Sequence, residues 1–433
     1  MFAGAYRWTL VPLVAGAVVL AAVERPRLLR APYRLLDAAL LAYLAVIALQ
    51  IVPVGARLRL AIDPAAVLFD QAMRVGPPID PLAAPARALS LAPDATAWAL
   101  AAGLAIVLTF WSARSIFARG GTRLAARGIA WLGLVLGPLV IVQHATSPRL
   151  LYWRIQPIAG NAYPYGPFVN RNDLATWLIM ALPLTIGYIV ARVQSRHRAG
   201  EAFDIEANVD ATALWLGAAV GALSAGLLTT LSRSGLTGAA AAGFVMVWLA
   251  RGRLARRHAA WLLVTLAAIG LAATAYANVG LLATRLGDAF SEGVGGRLAI
   301  WRQTWPMVQS FWPIGVGVGA YERGMLLYPK RSPLFYLNHA HSEYLQVLAE
   351  GGALLAVPAA VALLAAGRQL ARRLAADRTP MFWVRAGAAS GLAAVLVQSI
   401  WETGLMLPAN AVLFAILAGI ALHDTGGGRP FAP

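Results

Sequence analysis

Apolar positions in this chain neither alternate nor form the one-sided stripe of a soluble helix; they run in continuous blocks closed by polar or arginine-rich punctuation. Each block is close to the ~20 residues that cross a bilayer as an α-helix. Eleven are read as spans: Trp8 to Val23, Leu35 to Val54, Ala95 to Trp111, Gly128 to His144, Asp173 to Ala191, Ala211 to Leu231, Gly235 to Ala250, Ala259 to Ala277, Tyr344 to Ala366, Phe382 to Ser399, and Met406 to Leu422. The pattern predicts an all-α polytopic membrane protein with eleven spans, or twelve if one is missed. A transmembrane barrel would instead show alternating segments of about ten residues. The first block follows Arg7 and ends in small residues like a signal peptide, but the chain continues as a polytopic protein, so it is kept as a helix.

Composition agrees: 59% of the 433 residues are hydrophobic and 13% charged. The formal charge of +17 comes from 36 basic residues against 19 acidic ones, and Lys330 is the only lysine. The arginines fall in short clusters between apolar blocks, where the positive-inside rule expects them, so no nucleic-acid partner is implied. With no cysteine, disulfides, thiolate chemistry and cysteine-ligated metals are excluded.

Segments 24–34, 112–127, 192–210, 251–258, 367–381 with Arg385, and the C-terminal tail hold the denser basic charge and are assigned to the cytoplasm. The opposite face then carries the long connections 55–94, 145–172 and 278–343. The expected organisation is residues 1–277 with eight spans, 278–343 as a long outer loop, and 344–433 with three spans and a cytoplasmic tail. Long loops presented by a rigid scaffold commonly carry function. In the last of them Arg297, Trp301 and Trp305 recur at helical spacing, which suits a segment at the headgroup boundary with the indoles as interfacial anchors.

Among the six histidines, His197, His258 and His423 sit among polar residues and are expected to be solvated, while His144 stands alone at the outer end of a span. His339 and His341, in Asn338-His339-Ala340-His341-Ser342-Glu343, sit where the long outer loop enters a span. An imidazole there can take a proton near neutral pH. The pair with Glu343 could alternatively hold zinc, but the spacing is not that of a helical zinc site and a third ligand is not evident. A general base is therefore preferred over a structural histidine and over a metal ligand.

Three outer arginines lie at the membrane edge: Arg171 beside Asn170, Arg233 between Ser232 and Ser234, and Arg297. A guanidinium at this depth needs a partner, and its planar fork matches phosphate oxygens, so anionic lipid phosphate is the natural ligand; generic headgroup snorkelling is the alternative. The stretch Gly315-Val316-Gly317-Val318-Gly319-Ala320-Tyr321 is a weak match to nucleotide loops, and a tight turn or close backbone approach is preferred.

The order of these pieces resembles the bacterial O-antigen ligase and O-antigen polymerase superfamily: Phe168 to Ala175, Ser232-Arg233-Ser234, Arg297 to Trp301, Pro313 to Tyr321, and His339 through Gln346 to Gly352. Of the ligase signature, His341, Ser342 and Gly352 fit, while the last position holds Leu355 in place of Gly, Thr or Tyr. The resemblance implies a GT-C-like, metal-independent, inverting glycosyltransferase of the bacterial inner membrane without a cofactor, its active site facing the periplasm. Its donor would be an undecaprenyl-diphosphate-linked glycan and its partners the surrounding membrane lipids. The nominal acceptor is lipid A-core; the alternatives are a second lipid-linked repeat, a protein hydroxyl, or a lipid-glycan transporter. In that reading His341 is the base, Arg233 and Arg297 hold the diphosphate, Asn170, Arg171 and Tyr321 contact substrate, and His339 orients the loop.

Overall fold

A computed structural model describes residues 2–76, 80–157, 164–196, 210–253, 294–328 and 337–424. Among them, nine helices are long and apolar enough to cross a membrane, and one shorter apolar helix follows. The long ones are α1 (Leu10–Glu24, with a preceding turn), α2 (Arg34–Ile51), α5 (Pro93–Arg119), α6 (Thr122–Thr146), α7 (Arg171–Arg196), α8 (Ala211–Thr230), α9 (Arg233–Ala250), α12 (Glu343–Ala376) and α13 (Met381–Gln398). The short one, α14 (Pro408–Leu422), starts at a proline that needs no helical hydrogen bond. Ten of the eleven expected spans are thus helices; Ala259 to Ala277, together with His197, His258 and Lys330, lies outside the described residues.

Between the spans lie α3 (Ala56–Ile62), α4 (Pro64–Ala72), α10 (Val294–Ser310) and α11 (Tyr321–Gly324). A short antiparallel ladder pairs β1 (Pro53–Val54) with β2 (Arg87–Ala88), Pro53 opposite Ala88 and Val54 opposite Arg87.

Helix α7 and helix α13 form the central pair. Residues Leu174 to Ala181 of α7 are buried without interruption, as are Met381 to Leu392 of α13. In a bilayer, close backbone approach rather than apolar segregation drives such packing, and it requires small residues. A Cβ on Gly387 would lie 2.3 Å from the Pro183 carbonyl oxygen, and one on Gly187 would lie 2.2 Å from that of Trp383. Gly137 of α6 meets Ala222 of α8 the same way, at 2.3 Å.

The two ends of the bundle differ. At one end the arginine-rich connections meet. Asp37 accepts a fork from Arg114 at 2.9 and 3.0 Å, an indole hydrogen bond from Trp111 at 3.0 Å and the Leu29 amide at 3.0 Å. Arg373 pairs with Asp424, and Arg385, 2% exposed, donates to the carbonyls of Ala421 and His423. Asp37 and Arg385, charges within apolar segments, are therefore each satisfied by several partners. His423 corrects the expectation of a solvated histidine. It is 1% exposed, and its Nδ1 lies 2.6 Å from the Ile420 carbonyl oxygen, because the end of α14 is tucked under this ionic layer.

The opposite end holds α3, α4, α10, α11 and the loop around Gly315. This loop explains its glycines. Gly315, Gly317 and Gly319 all have positive φ (78°, 100° and 82°), which a side chain disfavours. The loop docks on a break in α12 at Gly352 (φ 55°, ψ −153°) through Val316 N–H to the Ala349 carbonyl at 3.0 Å and Gly317 N–H to that of Glu350 at 2.9 Å. Gln50 closes the joint, donating to the carbonyls of Ile314 (3.0 Å) and Glu350 (2.9 Å) and accepting from Val318 N–H (3.0 Å). The tight-turn reading of this segment is the one realised.

Candidate functional site

The start of α12 is fixed before any chemistry is considered. Ser342 caps it, its Oγ accepting from Leu345 N–H at 3.4 Å. Just upstream, Ala340 is clamped on both sides: its N–H donates to Gln346 Oε1 at 2.7 Å, and its carbonyl accepts from Trp301 Nε1 at 3.0 Å. His341 stands between these anchored neighbours with φ 50°, a conformation costing an ordinary residue about 1–2 kcal/mol. The anchors hold it there, and the imidazole lines a cavity of about 1120 Å³.

The cavity lies where α7 begins and where the chain crosses from α13 to α14. It is lined by His339 and His341, by Asn170, Arg171 and Asp173 of α7 and its approach, by His144 and Tyr165, by Glu402, Thr403, Met406, Leu407 and Pro408, and by Tyr6 beside α1. Residues 6, 171, 341 and 402 are far apart in sequence, and only the antiparallel return of the helices brings them together.

Burial, followed by the Arg297 charge, lowers the pKa of His341 from its ordinary 6.5. His339 is pushed down to about 4 by burial and by its histidine neighbour. Both imidazoles are thus neutral at neutral pH, the form that can accept a proton. His339 Nδ1 is buried with no hydrogen-bond partner among the described residues.

Glu402 organises the other wall. Its Oε1 accepts from Arg297, from Asn172 Nδ2 at 2.8 Å and from Ser234 Oγ at 3.3 Å. Ser232 Oγ donates to Asn172 Oδ1 at 2.8 Å and lies 3.1 Å from Ser234 Oγ. Gln398 donates to Ser234 at 3.4 Å while accepting from Thr176 at 2.9 Å. The network joins the starts of α7, α9 and α10 to the end of α13. Burial raises the Glu402 pKa against the opposing pull of Arg297.

The expected site residues divide accordingly. His341, His339, Asn170 and Arg171 line the cavity together. Arg297 joins through Glu402, its side chain 27% exposed. Arg233 is exposed at the first turn of α9 and is not on the cavity wall, although Ser232 and Ser234 on either side of it turn inward to Asn172 and Glu402. Tyr321 does not reach the cavity: it is 1% exposed, its hydroxyl lies 2.7 Å from Thr304 Oγ1, and burial pushes its pKa up to about 12. Trp301 is more than an interfacial anchor, since it holds the Ala340 carbonyl beside His341, whereas Trp305 is 51% exposed as an anchor would be. His144 is not alone; it stacks on Tyr165 with ring centroids 4.5 Å apart.

Glu402, Asn172 and Asp173 were not singled out for chemistry from the sequence. The usable signal was a carboxylate in the short polar connection Trp401-Glu402-Thr403 between two spans, an expensive position unless paired. Among the described residues no group of three His, Asp or Glu side chains is placed to hold a metal ion.

A multi-pass helical membrane protein with histidines, an arginine and a glutamate lining one cavity at one end of the bundle is the class that fold and site define. Residues 218–360 match the family described as O-Antigen ligase. The match takes in Ser232 to Ser234, Arg297, Tyr321, His339 and His341, and it makes the chain similar to the O-antigen ligases and polymerases, in agreement with the sequence resemblance. No curated protein matches the chain.

Proposed function

We propose that the cavity transfers a glycan from undecaprenyl diphosphate to an acceptor hydroxyl at the periplasmic face of the bacterial inner membrane, with inversion and without a metal. The observation that carries this reading is the convergence of His341, Arg171 and the Arg297–Glu402 pair on one cavity of about 1120 Å³. The acceptor oxygen attacks the anomeric carbon while His341 takes its proton. The carbon–oxygen bond to the diphosphate breaks with its electrons leaving on undecaprenyl diphosphate. That leaving group needs charge neutralisation more than a proton, a task for guanidinium forks. Arg297 is assigned to the diphosphate together with Arg233, which would reach it from outside the cavity wall, with Arg171 and Asn170 on the wall and His339 steadying the loop.

The nominal acceptor is lipid A-core. The one signature position that departs from the ligase pattern, Leu355, is 1% exposed and packs against Gly351, so the departure concerns packing and not reacting groups. The test is reconstitution of the whole chain in proteoliposomes with a lipid-linked glycan and either lipid A-core or a second lipid-linked repeat. Transfer to lipid A-core is expected. Chain lengthening alone would make the protein a polymerase, and no transfer to either would remove the proposal.

A further inference from the structure

We propose that the arginine-rich end of the bundle holds a binding site for the phosphate headgroup of an anionic phospholipid. A recess of about 600 Å³ opens there between the α1–α2 connection, the end of α5 and Asp424. It is remote from the glycan cavity: α1 begins beside Tyr6, which lines that cavity, and ends at Glu24, which lines this recess.

Its charges fall into two groups. Arg114 is committed to Asp37, Arg119 to Glu24, and Asp424 to Arg373. Arg25, Arg27 and Arg30 are exposed, and their side chains make no hydrogen bond or ion pair among the described residues. The committed pairs leave three uncompensated guanidinium forks facing one recess, the complement of a phosphate.

The loop carrying them is built and not merely basic. Arg25 N–H donates to the Ala21 carbonyl at 2.8 Å, Leu29 N–H to Asp37 Oδ2 at 3.0 Å, and Tyr33 N–H to the Arg30 carbonyl at 2.8 Å. These ties tether the connection at intervals to α1, Asp37 and the start of α2. The side of α1 leading to the recess supplies the second half of the recognition. Val18, Val19 and Val23 are exposed, Val23 at 73%, on a helix long and apolar enough to span a membrane. Acyl chains can lie along this face while the phosphate enters the recess, which selects a lipid over a soluble anion.

The test uses the full chain in neutral detergent, with phosphatidylglycerol or phosphatidylcholine added and retained lipid read by native mass spectrometry. The parent should retain phosphatidylglycerol over phosphatidylcholine. The triple substitution R25Q/R27Q/R30Q should lose on the order of tenfold or more of that retention. R368Q/R372Q/R378Q, which removes three exposed arginines elsewhere at the same end, should leave it unchanged. Ala118→Trp fills the exposed wall of the recess without touching charge and should also lose retention, so the test survives if the triple variant does not elute as a folded species. Equal losses in both triple variants, full retention in Ala118→Trp, or no preference in the parent would each overturn the site. Displacement of the lipid by millimolar inorganic phosphate would reassign it to a soluble anion.

Discussion

Gly352→Ala should destabilise the protein and cost activity at a distance. A Cβ there would stand 2.0 Å from the Pro313 carbonyl oxygen and 2.3 Å from its carbon, both backbone atoms that no rotamer change can move. The residue also has φ 55° and ψ −153°, close to a region nearly reserved for glycine, which costs a side chain about 1–3 kcal/mol. Relief requires the Pro313–Gly317 loop to lift from α12. That stretches Val316 N–H to Ala349, Gly317 N–H to Glu350, and the Gln50 hydrogen bonds to Ile314 and Val318. Losing two of these adds about 1–3 kcal/mol at 0.5–1.5 each, so the total is about 2–6 kcal/mol. Gly217→Ala and Gly221→Ala on α8 are the controls, since a Cβ at either meets nothing within 4 Å and alanine there gains about 0.5–1 kcal/mol. Thermal unfolding in detergent, followed by the soluble monodisperse fraction, should put Gly352→Ala several degrees below the parent and the controls at or above it. Transfer should fall too, because α12 carries His341 at its head. A Gly352→Ala protein as stable as the controls would refute the docking argument.

Three further outcomes follow from the site. Glu402→Ala should lower stability by about 2–4 kcal/mol, because it orphans Arg297, Asn172 and Ser234, whereas Glu402→Gln should lose less; unfolding of the two variants side by side checks this. Transfer rate should fall on the acid side with a midpoint below 6.5, because His341 has a lowered pKa and is lost as a base only when protonated; a pH–rate profile with its acid limb above 6.5 would contradict it. The same direction for His339 makes the fold lose stability between pH 6.5 and about 4, where the unfolded imidazole takes a proton that the folded one refuses. Arg297→Lys and Arg233→Lys should keep part of the donor binding but lose much of the rate, and the alanine variants should lose both, with bare undecaprenyl diphosphate as the binding probe.

The spans were legible because hydropathy is a local property: each described helix lies within a few residues of its apolar block, and α5 and α12 merely run on through arginines beyond it. The place of His341 on the cavity wall was legible for a related reason, since a polar cluster where a loop enters a span lies at the bundle end. Glu402 was not, because its partners at 172, 234 and 297 are 230, 168 and 105 residues away, and no local pattern announces them. Tyr321 and Trp301 exchanged importance for the same reason. The tyrosine next to a glycine loop turned inward to Thr304, while the tryptophan in an interfacial stripe reached Ala340. His423 was misread because a polar neighbourhood in sequence was taken for water, and the end of α14 is covered by Tyr33 and Arg385.

His341 is proposed as the group that takes the acceptor proton, and single-turnover transfer from a lipid-linked glycan by His341→Ala measures that most directly. With donor binding and the detergent elution profile matched to the parent, the rate should fall on the order of a hundredfold to ten-thousandfold, while His339→Ala should fall much less. Near-parental transfer by His341→Ala, or an equal loss in both variants, would contradict it.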